Sequence, residues 1–387
     1  MRIGINIGIG RRSGGGGSFR SSHPLLLTRS TAAWAQDLSG NLFAFGVDER
    51  RITNAGLTIT GPATRLHGEA PTNGGNNGNT TSTLPAEGLF SPLRVVSAGL
   101  EFHRRQTPDF SVTSGAPVYI RARVRGGTSG LSVIILRNNT AGTSSEIRGT
   151  SGVLSIVIQA AGDITRLVNK ILPNGDREFT FTFTPNANGT AVNLGIGPRT
   201  VTSGQYIDII GMQVTSQFSE WIMGGAGTVA QAAEVATLDL TGVSLAAGFM
   251  LRMDGTVLAT PRVNYDRFYQ GDTGDNGNRL ITSVTPDGPL NLGQFTAFVT
   301  QGSIQPSPEI TPPVAFSLVG AHGANYVGGA YNGVVATPDT LATYVTPTIV
   351  RIGRSSSMTI DWLPLLLTRI TLFPETPTTP RVTEVSA

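Results

Sequence analysis

The chain has 387 residues, and 39% of them are hydrophobic, so it is long enough for two or three domains with cores of their own and is not disordered throughout. Charged residues make up only 14%, beside 49 Gly and 23 Pro, a balance that favours strands joined by turns over surface helices. A net charge of +3 argues against nucleic-acid binding, and the absence of Cys excludes disulfides, thiol catalysis and thiolate metal sites.

The N-terminus has a strict apolar alternation. Ile3, Ile5, Ile7 and Ile9 alternate with Gly and Asn, which predicts a short strand, and a glycine run follows at 14–17. We expect an anchoring arm that adds to a sheet edge on another subunit or protein. A disordered terminus is the alternative. The start of the chain lacks the apolar run of a signal peptide and no stretch reaches the roughly 20 apolar residues of a membrane span, so we expect no membrane insertion.

Short strand-like pieces follow at residues 24–66, separated by Gly, Asn and Asp turns. They are too few for a core of their own. The polar run at 73–83 is typical of a linker or a long loop. We therefore predict that residues 1–95 form an anchoring arm and hairpin segment that packs on a neighbour.

Residues 96–223 show the pattern of an antiparallel β-sandwich. In the strand predicted at 117–125, apolar side chains alternate with Tyr119, Arg121, Arg123 and Arg125, whose face we expect to be solvated. Further strand patterns recur at spacings of about 8 to 12 residues or somewhat wider. The sequence predicts one sandwich here.

Residues 224–387 repeat this style from VATLDL to RITLF and predict a second sandwich. The tail from Pro374 is rich in Pro and Thr, and we expect it to be loose. The predicted fold class is thus all-β: an N-terminal segment of short strands followed by two antiparallel, jelly-roll-like sandwiches.

Motifs for catalysis are scarce. No Gly-x-Ser-x-Gly pentapeptide occurs, and the four His residues have no ligand-like spacing. GAGTVA at 225–230 matches a dinucleotide fingerprint in letters but lacks a βαβ context. The carboxylates Glu101, Asp109, Asp254 and Asp266 sit in no recognisable glycosidase motif. We expect a protein that is not an enzyme, with no catalytic residue and no cofactor.

One acidic loop has spacing suited to a cation. GDTGDNGN at 271–278 places Asp272 and Asp275 near Asn276 and Asn278, all with oxygens that calcium prefers. The loop lacks the length and the closing Glu of an EF-hand, so a hairpin turn is the favoured interpretation. Calcium at Asp272 and Asp275 is the alternative to no metal.

Aromatic residues beside amides and carboxylates suggest sugar contacts, because rings stack on sugar faces while polar groups bind hydroxyls. Two predicted loops carry such residues, and the alternative is that they cap the sandwich cores. The candidates for glycan binding are Tyr265, Asp266, Phe268, Tyr269, Asn325, Tyr326, Tyr331 and Asn332.

Residues 27–66 contain a spaced set of Thr, Arg, Ser, Gly, aromatic and apolar positions: Thr28, Arg29, Ser30, Thr31, Ala32, Trp34, Gly40, Arg51, Gly56, Leu57 and Thr64. With these positions the segment resembles one found in bacteriophage tail fibre and head spike proteins. The chain departs from that pattern at Thr60 and at Arg65. The second segment, with DREFTFTFTPNANGTAVNLGIG, is similar to carbohydrate-binding-type sandwiches, and the third resembles concanavalin A-like, laminin-G-like sandwiches.

The resemblance implies a virion structural protein, assembled in the host cytoplasm, that displays sandwich modules for attachment to host surface glycans. Its expected partners are capsid, tail or baseplate proteins and a host glycan, and we expect a homotrimer. Repeated weak sites would then give avidity. A capsid or tail decoration protein without receptor binding is the second hypothesis, and a polysaccharide depolymerase is the third.

Overall fold

The structure is a computed structural model. It describes residues 20–68, 72–75, 80–99, 103–129, 131–150, 153–224, 227–259, 266–274, 277–285, 288–297, 299–305, 309–356 and 362–387. The predicted anchoring residues Ile3, Ile5, Ile7 and Ile9 lie outside this part of the chain. The all-β prediction is confirmed, since the described residues form 32 strands and one short helix.

The chain divides into two compact units, and in the sequence the segments of unit 2 interrupt those of unit 1. Unit 1 contains residues 1–35, 45–61 and 232–387, and unit 2 contains residues 36–44 and 62–231. The strands are numbered in chain order. The first six and the last eleven are β1 (Arg20–Ser21), β2 (Leu25–Thr28), β3 (Ala33–Gln36), β4 (Leu42–Phe45), β5 (Ile52–Thr53), β6 (Gly56–Ile59), β22 (Val235–Leu238), β23 (Phe249–Val257), β24 (Asp266–Asp272), β25 (Arg279–Val284), β26 (Leu290–Thr296), β27 (Val299–Ile304), β28 (Val314–Gly323), β29 (Tyr326–Tyr331), β30 (Val334–Val335), β31 (Ile349–Ile352) and β32 (Leu365–Phe373).

Unit 1 has two large sheets. One runs β30-β29-β28-β23-β32-β6-β5 with β1 beside β32, and the other runs β2-β22-β31-β24-β25-β26-β27. All of the pairings except β1–β32 are antiparallel. Inward residues of both sheets, such as Leu57, Phe249 and Phe268, form one buried core, as in a sandwich.

Unit 2 also has two large sheets. Its strands are β7 (Ala63–Arg65), β8 (Thr72–Gly75), β9 (Thr80–Thr83), β10 (Leu93–Val96), β11 (His103–Gln106), β12 (Phe110–Val112), β13 (Val118–Arg125), β14 (Leu131–Asn138), β15 (Thr143–Thr150), β16 (Val153–Gln159), β17 (Gly162–Ile171), β18 (Arg177–Pro185), β19 (Gly189–Pro198), β20 (Tyr206–Thr215) and β21 (Val229–Gln231). One sheet runs β17-β18-β13-β20-β10-β9, with β7 beside β20 and β21. The other runs β16-β15-β14-β19-β11-β8, with β12 beside β19.

The strands before residue 62 group differently from the predicted N-terminal segment. Strand β2 pairs with β22, and β6 pairs with β32. Leu25, Leu57 and Ile59 are at most 1% exposed and belong to the core of unit 1. The neighbour that completes these short strands is thus the last part of the same chain, whereas β7 to β10, also in the predicted segment, belong to unit 2.

Buried ion pairs join the first two segments of unit 1 to its third segment. Glu234 accepts from Arg29 Nη1 at 2.6 Å and from Arg51 Nε at 2.8 Å, and Arg51 Nη2 also pairs with it. The backbone N–H of Thr60 donates to the same carboxylate at 3.1 Å. None of the three charged side chains is exposed. Two arginines from the N-terminal part of unit 1 therefore converge on one glutamate.

In place of the loose tail expected after Pro374, the structure has helix α1 (Thr379–Ser386). The Thr378 side chain caps its N-terminus by accepting from the Arg381 N–H. A proline lies in the first turn, where the backbone N–H that proline lacks would have no partner within the helix. Val382 and Val385, three positions apart on one face, are buried against strands β23, β28 and β29. The buried valines hold the tail in place.

The expected solvated arginine face of β13 is also different in the structure. Arg121 and Arg123 are only 7% and 5% exposed. Arg121 pairs with Glu220 at 2.6 Å, and Arg123 pairs with Asp176 at 2.7 Å. Arg125 is partly exposed and pairs with Glu87 and Asp176. Acidic partners from other segments cover this face, which the alternation within one strand cannot reveal.

Candidate functional site: a cavity in unit 2

The site lies where one edge of strand β20 has no strand partner among the described residues. Strand β10 pairs with β20 up to Leu93 opposite Ile209, and β7 rejoins it only at Arg65 opposite Thr215. A cavity of about 420 Å³ lies at this gap. Its lining comes from β7, β9, β10, β11, β20 and their adjoining loops and comprises Arg65, His67, Thr83, Phe90, Ser91, Pro92, Leu93, Arg105, Thr107, Ile209, Ile210, Gly211, Met212, Gln213, Trp221, Ile222 and Met223.

The hairpin between β9 and β10 supplies one aromatic wall. Glu87 and Phe90 form the bridge that closes its turn, and Gly88 takes a φ of +62°, which glycine adopts without strain. Phe90 meets Trp221 edge to face, with ring centroids 5.1 Å apart. A Cβ on Gly211 would lie 3.0 Å from both rings, so glycine there lets them approach the strand.

The segment that carries Trp221 is held by polar contacts. Gln213 Nε2 donates to the Glu220 carbonyl at 3.0 Å, and Gln213 Oε1 accepts from the Ile222 N–H at 2.6 Å. The Glu220 carboxylate pairs with Arg121, and the Trp221 Nε1 donates to Glu178 at 3.2 Å. Because these anchors are buried side chains, they fix the position of the Trp221 ring.

Arg105 projects into the same cavity from the opposite sheet. It lies opposite Ile196, a core residue, so its side chain faces the inside of the sandwich. Among the residues that the structure describes, the Arg105 Nε is buried and has no hydrogen-bond partner. Thr83 and Ser91 are the exposed members of the lining and mark its open side.

His67 closes the far end of the gap. Its Nδ1 lies 2.6 Å from the Gly68 carbonyl, and its Nε2 lies 3.1 Å from the Val214 N–H. This pattern requires a neutral ring with the proton on Nδ1. Burial lowers the pKa of His67 to about 4, with a further lowering by Arg65 that the Gly68 carbonyl opposes. His67 therefore takes the place of a strand partner for β20 and remains uncharged at neutral pH.

The first group of predicted glycan residues does not form a loop in the structure. Asp266, Phe268 and Tyr269 lie in β24 and are at most 2% exposed. The two rings belong to the core of unit 1, and the Tyr269 hydroxyl lies 2.9 Å from His322 Nε2. Their strand pairs on both edges, so these side chains offer no surface to a sugar. Tyr265 lies outside the described residues.

The second group lies at two turns of unit 1. Asn325 and Asn332 have positive φ values of 54° and 49°, which Asn tolerates better than most residues. Asn332 Oδ1 also accepts from the Ser317 N–H. Tyr331 is buried in the core, and the Tyr326 hydroxyl lies 3.3 Å from Thr379 Oγ1. Both Asn residues thus shape turns, whereas Tyr331 packs in the core and Tyr326 lies against the Thr379 hydroxyl.

The predicted calcium loop is partly described. Asp272 is 1% exposed; its carboxylate accepts from the Gly274 N–H at 2.8 Å and from Gln270 Nε2 at 3.0 Å and lies 3.3 Å from Arg351 Nη2. The bond from Gly274 is of the Asx-turn type that is common in hairpin turns. Asp275 lies outside the described residues. Within the described part of the chain, no group of three or more His, Asp or Glu side chains is placed to hold a metal. Nor does that part contain a helix long and apolar enough to cross a membrane.

The amino-acid sequence alone does not reveal the cavity. Phe90, Arg105 and Trp221 lie far apart in the chain and match no motif. The one local signal is Arg105 at an inward position of a strand-like stretch, because a charged residue on a core face needs a partner or a role. Which side chains of such a short strand point inward becomes evident only from its pairing with β19.

No protein-family model and no curated protein sequence matches the chain. Three solved structures are similar at a low level. A heptameric SAP-like pentraxin from Limulus polyphemus has 16% identity and a TM-score of 0.30, over 38% of this chain and 72% of that one. Domains LG4-5 of the mouse laminin alpha1 chain have 9% identity and a TM-score of 0.25, over 74% and 94%. A Trypanosoma rangeli sialidase in complex with the inhibitor DANA has 10% identity and a TM-score of 0.28, over 94% and 78%. At these TM-scores no functional assignment follows.

Proposed function

We propose that this chain is a virion structural protein, a tail fibre or head spike subunit, that attaches to a host surface glycan through the cavity of unit 2. The cavity is the observation that carries the attachment part of the proposal. It has aromatic and aliphatic walls, a few polar groups and a volume within the roughly 300–1,000 Å³ typical of small-ligand sites.

The virion part of the proposal rests on the resemblance of residues 27–66 to phage fibre and head spike segments. Support comes from the roles of the matching residues: Arg29 and Arg51 bind Glu234, and Leu57 is buried in the core. These contacts make the segment a structural part of the unit 1 sandwich. We assign it to the virion, with capsid, tail or baseplate proteins as partners.

Association of copies, with the homotrimer as the expected form, belongs to the same proposal. Strand β16 lies at the edge of its sheet, and within the described residues it pairs only with β15. Val153, Ile156, Val157 and Ile158 on this strand are each more than a third exposed, and the strand carries no charge. Exposed apolar edges of this kind pair with other chains, so a second copy of this chain is the occupant we propose.

A decoration protein without receptor binding is the second candidate. One observation favours it: of the described residues of the predicted glycan site, four are buried, two form turns and Tyr326 is half-buried at the start of β29. Such a protein would need its sandwiches only for stiffness or coverage.

A glycan array probed with the full-length oligomer separates the two candidates. We expect binding to polysaccharide of the host surface, and no binding in any preparation would overturn the attachment proposal. Imaging of particles labelled at the C-terminus tests the virion assignment independently. Label at the head or tail is expected, and particles without label would contradict it.

A further inference from the structure

We propose that the cavity of unit 2 takes a glycan unit with a carboxylate group, such as a uronic acid, and that Arg105 binds that carboxylate. This inference rests on the proposed function, because it names the class of sugar that the same cavity would take.

The state of Arg105 is the first step. The Nε of Arg105 is buried and has no hydrogen-bond partner among the described residues. Its neighbours along the inner face are core residues such as Ile196 and Ile209. A cation placed against apolar side chains is costly to leave without a partner. An external anion would supply the missing acceptor.

The charge of the lining is the second step. The described residues that line the cavity include Arg65 and Arg105 but no Asp or Glu. Arg65 donates to the backbone carbonyls of His67, Ile222 and Gly224. Because these carbonyls are neutral, they do not cancel the charge of Arg65, which adds to the positive potential of the cavity wall. An anionic ligand is attracted by both guanidinium groups and meets no carboxylate on the wall.

The shape of the Arg105 donor set selects among anions. A guanidinium presents parallel N–H groups that match the two oxygens of a carboxylate. The other walls fit a sugar ring: Phe90 and Trp221 offer apolar surface, and the hydroxyls of Thr83 and Ser91 lie at the open side for hydrogen bonds. A carboxylate-bearing sugar uses all of these groups at once.

Titration of the full-length protein with glucuronic acid and with glucose tests the inference, followed by calorimetry or by ligand-observed NMR. We expect glucuronic acid to bind about tenfold more tightly than glucose, since one charge-assisted hydrogen-bond pair separates them. Arg105→Met should lose this preference, and Arg105→Lys should keep part of it because the charge remains without the paired geometry.

Arg104→Met is the matched control. Arg104 is the neighbouring position on the same strand, lies against Gly195 and does not line the cavity. Its variant should bind as the unmodified protein does. Arg105→Met should also melt at about the same temperature, because the partly buried Arg105 makes no ion pair with a described residue that the substitution would break. A loss of binding is then not a loss of folding.

The outcomes separate the inference from the proposed function. Equal binding of both sugars, unchanged in Arg105→Met, would overturn the role of the carboxylate and leave glycan attachment intact. Tighter binding of glucose 6-sulfate than of glucuronic acid would overturn the choice of anion. If neither sugar binds while the glycan array is positive, the cavity is not the site. If the array is negative as well, the proposed function fails.

Discussion

Arg29 Nη1 lies 2.6 Å from Glu234 Oε1, although the two residues are 205 positions apart in the chain. The whole of unit 2 lies between them in sequence. Burial lowers the pKa of Arg29, and the attraction of Glu234 opposes that shift. The pair therefore joins two segments of unit 1 that are far apart in the chain.

Glu234→Gln should destabilise unit 1 by about 3 to 5 kcal/mol, because two buried guanidinium groups lose their counter-charge. Urea unfolding followed by fluorescence measures the change. Glu375→Gln is the control, since Glu375 pairs with Arg381 at a side-chain exposure of 43%. Equal stability of the two variants would contradict a structural role for Glu234.

Stability of unit 2 should fall as the pH drops from about 6.5 to 4. His67 has its pKa lowered to about 4, so the unfolded chain binds its proton first and acid favours unfolding. The loss is on the order of 3 kcal/mol at the acid end. Above pH 6.5 this contribution is fully present.

Unfolding measured across that pH range with His67→Gln checks this prediction, and His23→Gln, at a half-buried position of unit 1, is the control. The His67 variant should be less stable at pH 7 and less sensitive to acid. An unchanged pH slope would show that His67 is not the group that titrates.

Val382→Ala should lower the free energy of unfolding by about 2 kcal/mol, because the side chain is fully buried on the inner face of α1 and the substitution removes two methyl groups. Glu384→Ala on the exposed face of the same helix should cost far less. Thermal melting of both variants distinguishes a packed tail from a loose one, in which the two substitutions would have the same small effect.

Val157→Lys should weaken association of copies, because it places a charge on the exposed apolar edge of β16. Analytical ultracentrifugation should show a smaller species than the unmodified protein at equal concentration. Val201→Lys is a matched control at a turn position that is 70% exposed. A sedimentation profile that shifts for neither variant would exclude β16 as the interface.

The strands with regular alternation could be predicted from sequence. The patterns at 117–125 and 178–184 correspond to β13 and β18. A segment in which β-branched or aromatic residues alternate with polar ones has few stable conformations other than a strand. The partners of Arg121 and Arg123 could not be predicted, since Glu220 and Asp176 come from distant loops.

The candidate sites show the same division. Phe268 and Tyr269 have the composition of a binding loop, yet β24 buries them because it pairs with β25 on one side and β31 on the other. Helix α1 escaped prediction since Val382 and Val385 are too few to give a period. The cavity needs Arg105 from one sheet and Trp221 beyond the other, and only tertiary packing brings these together.

Binding of the full-length protein to host surface polysaccharide, with and without a blocked cavity, tests attachment most directly. Thr83→Trp places a bulky ring at the open side, whereas Ser82→Trp places it on the opposite face of β9, outside the lining. We predict that the unmodified protein and Ser82→Trp bind and that Thr83→Trp does not. Equal binding by all three proteins, or no binding by the unmodified protein, would contradict attachment through this cavity.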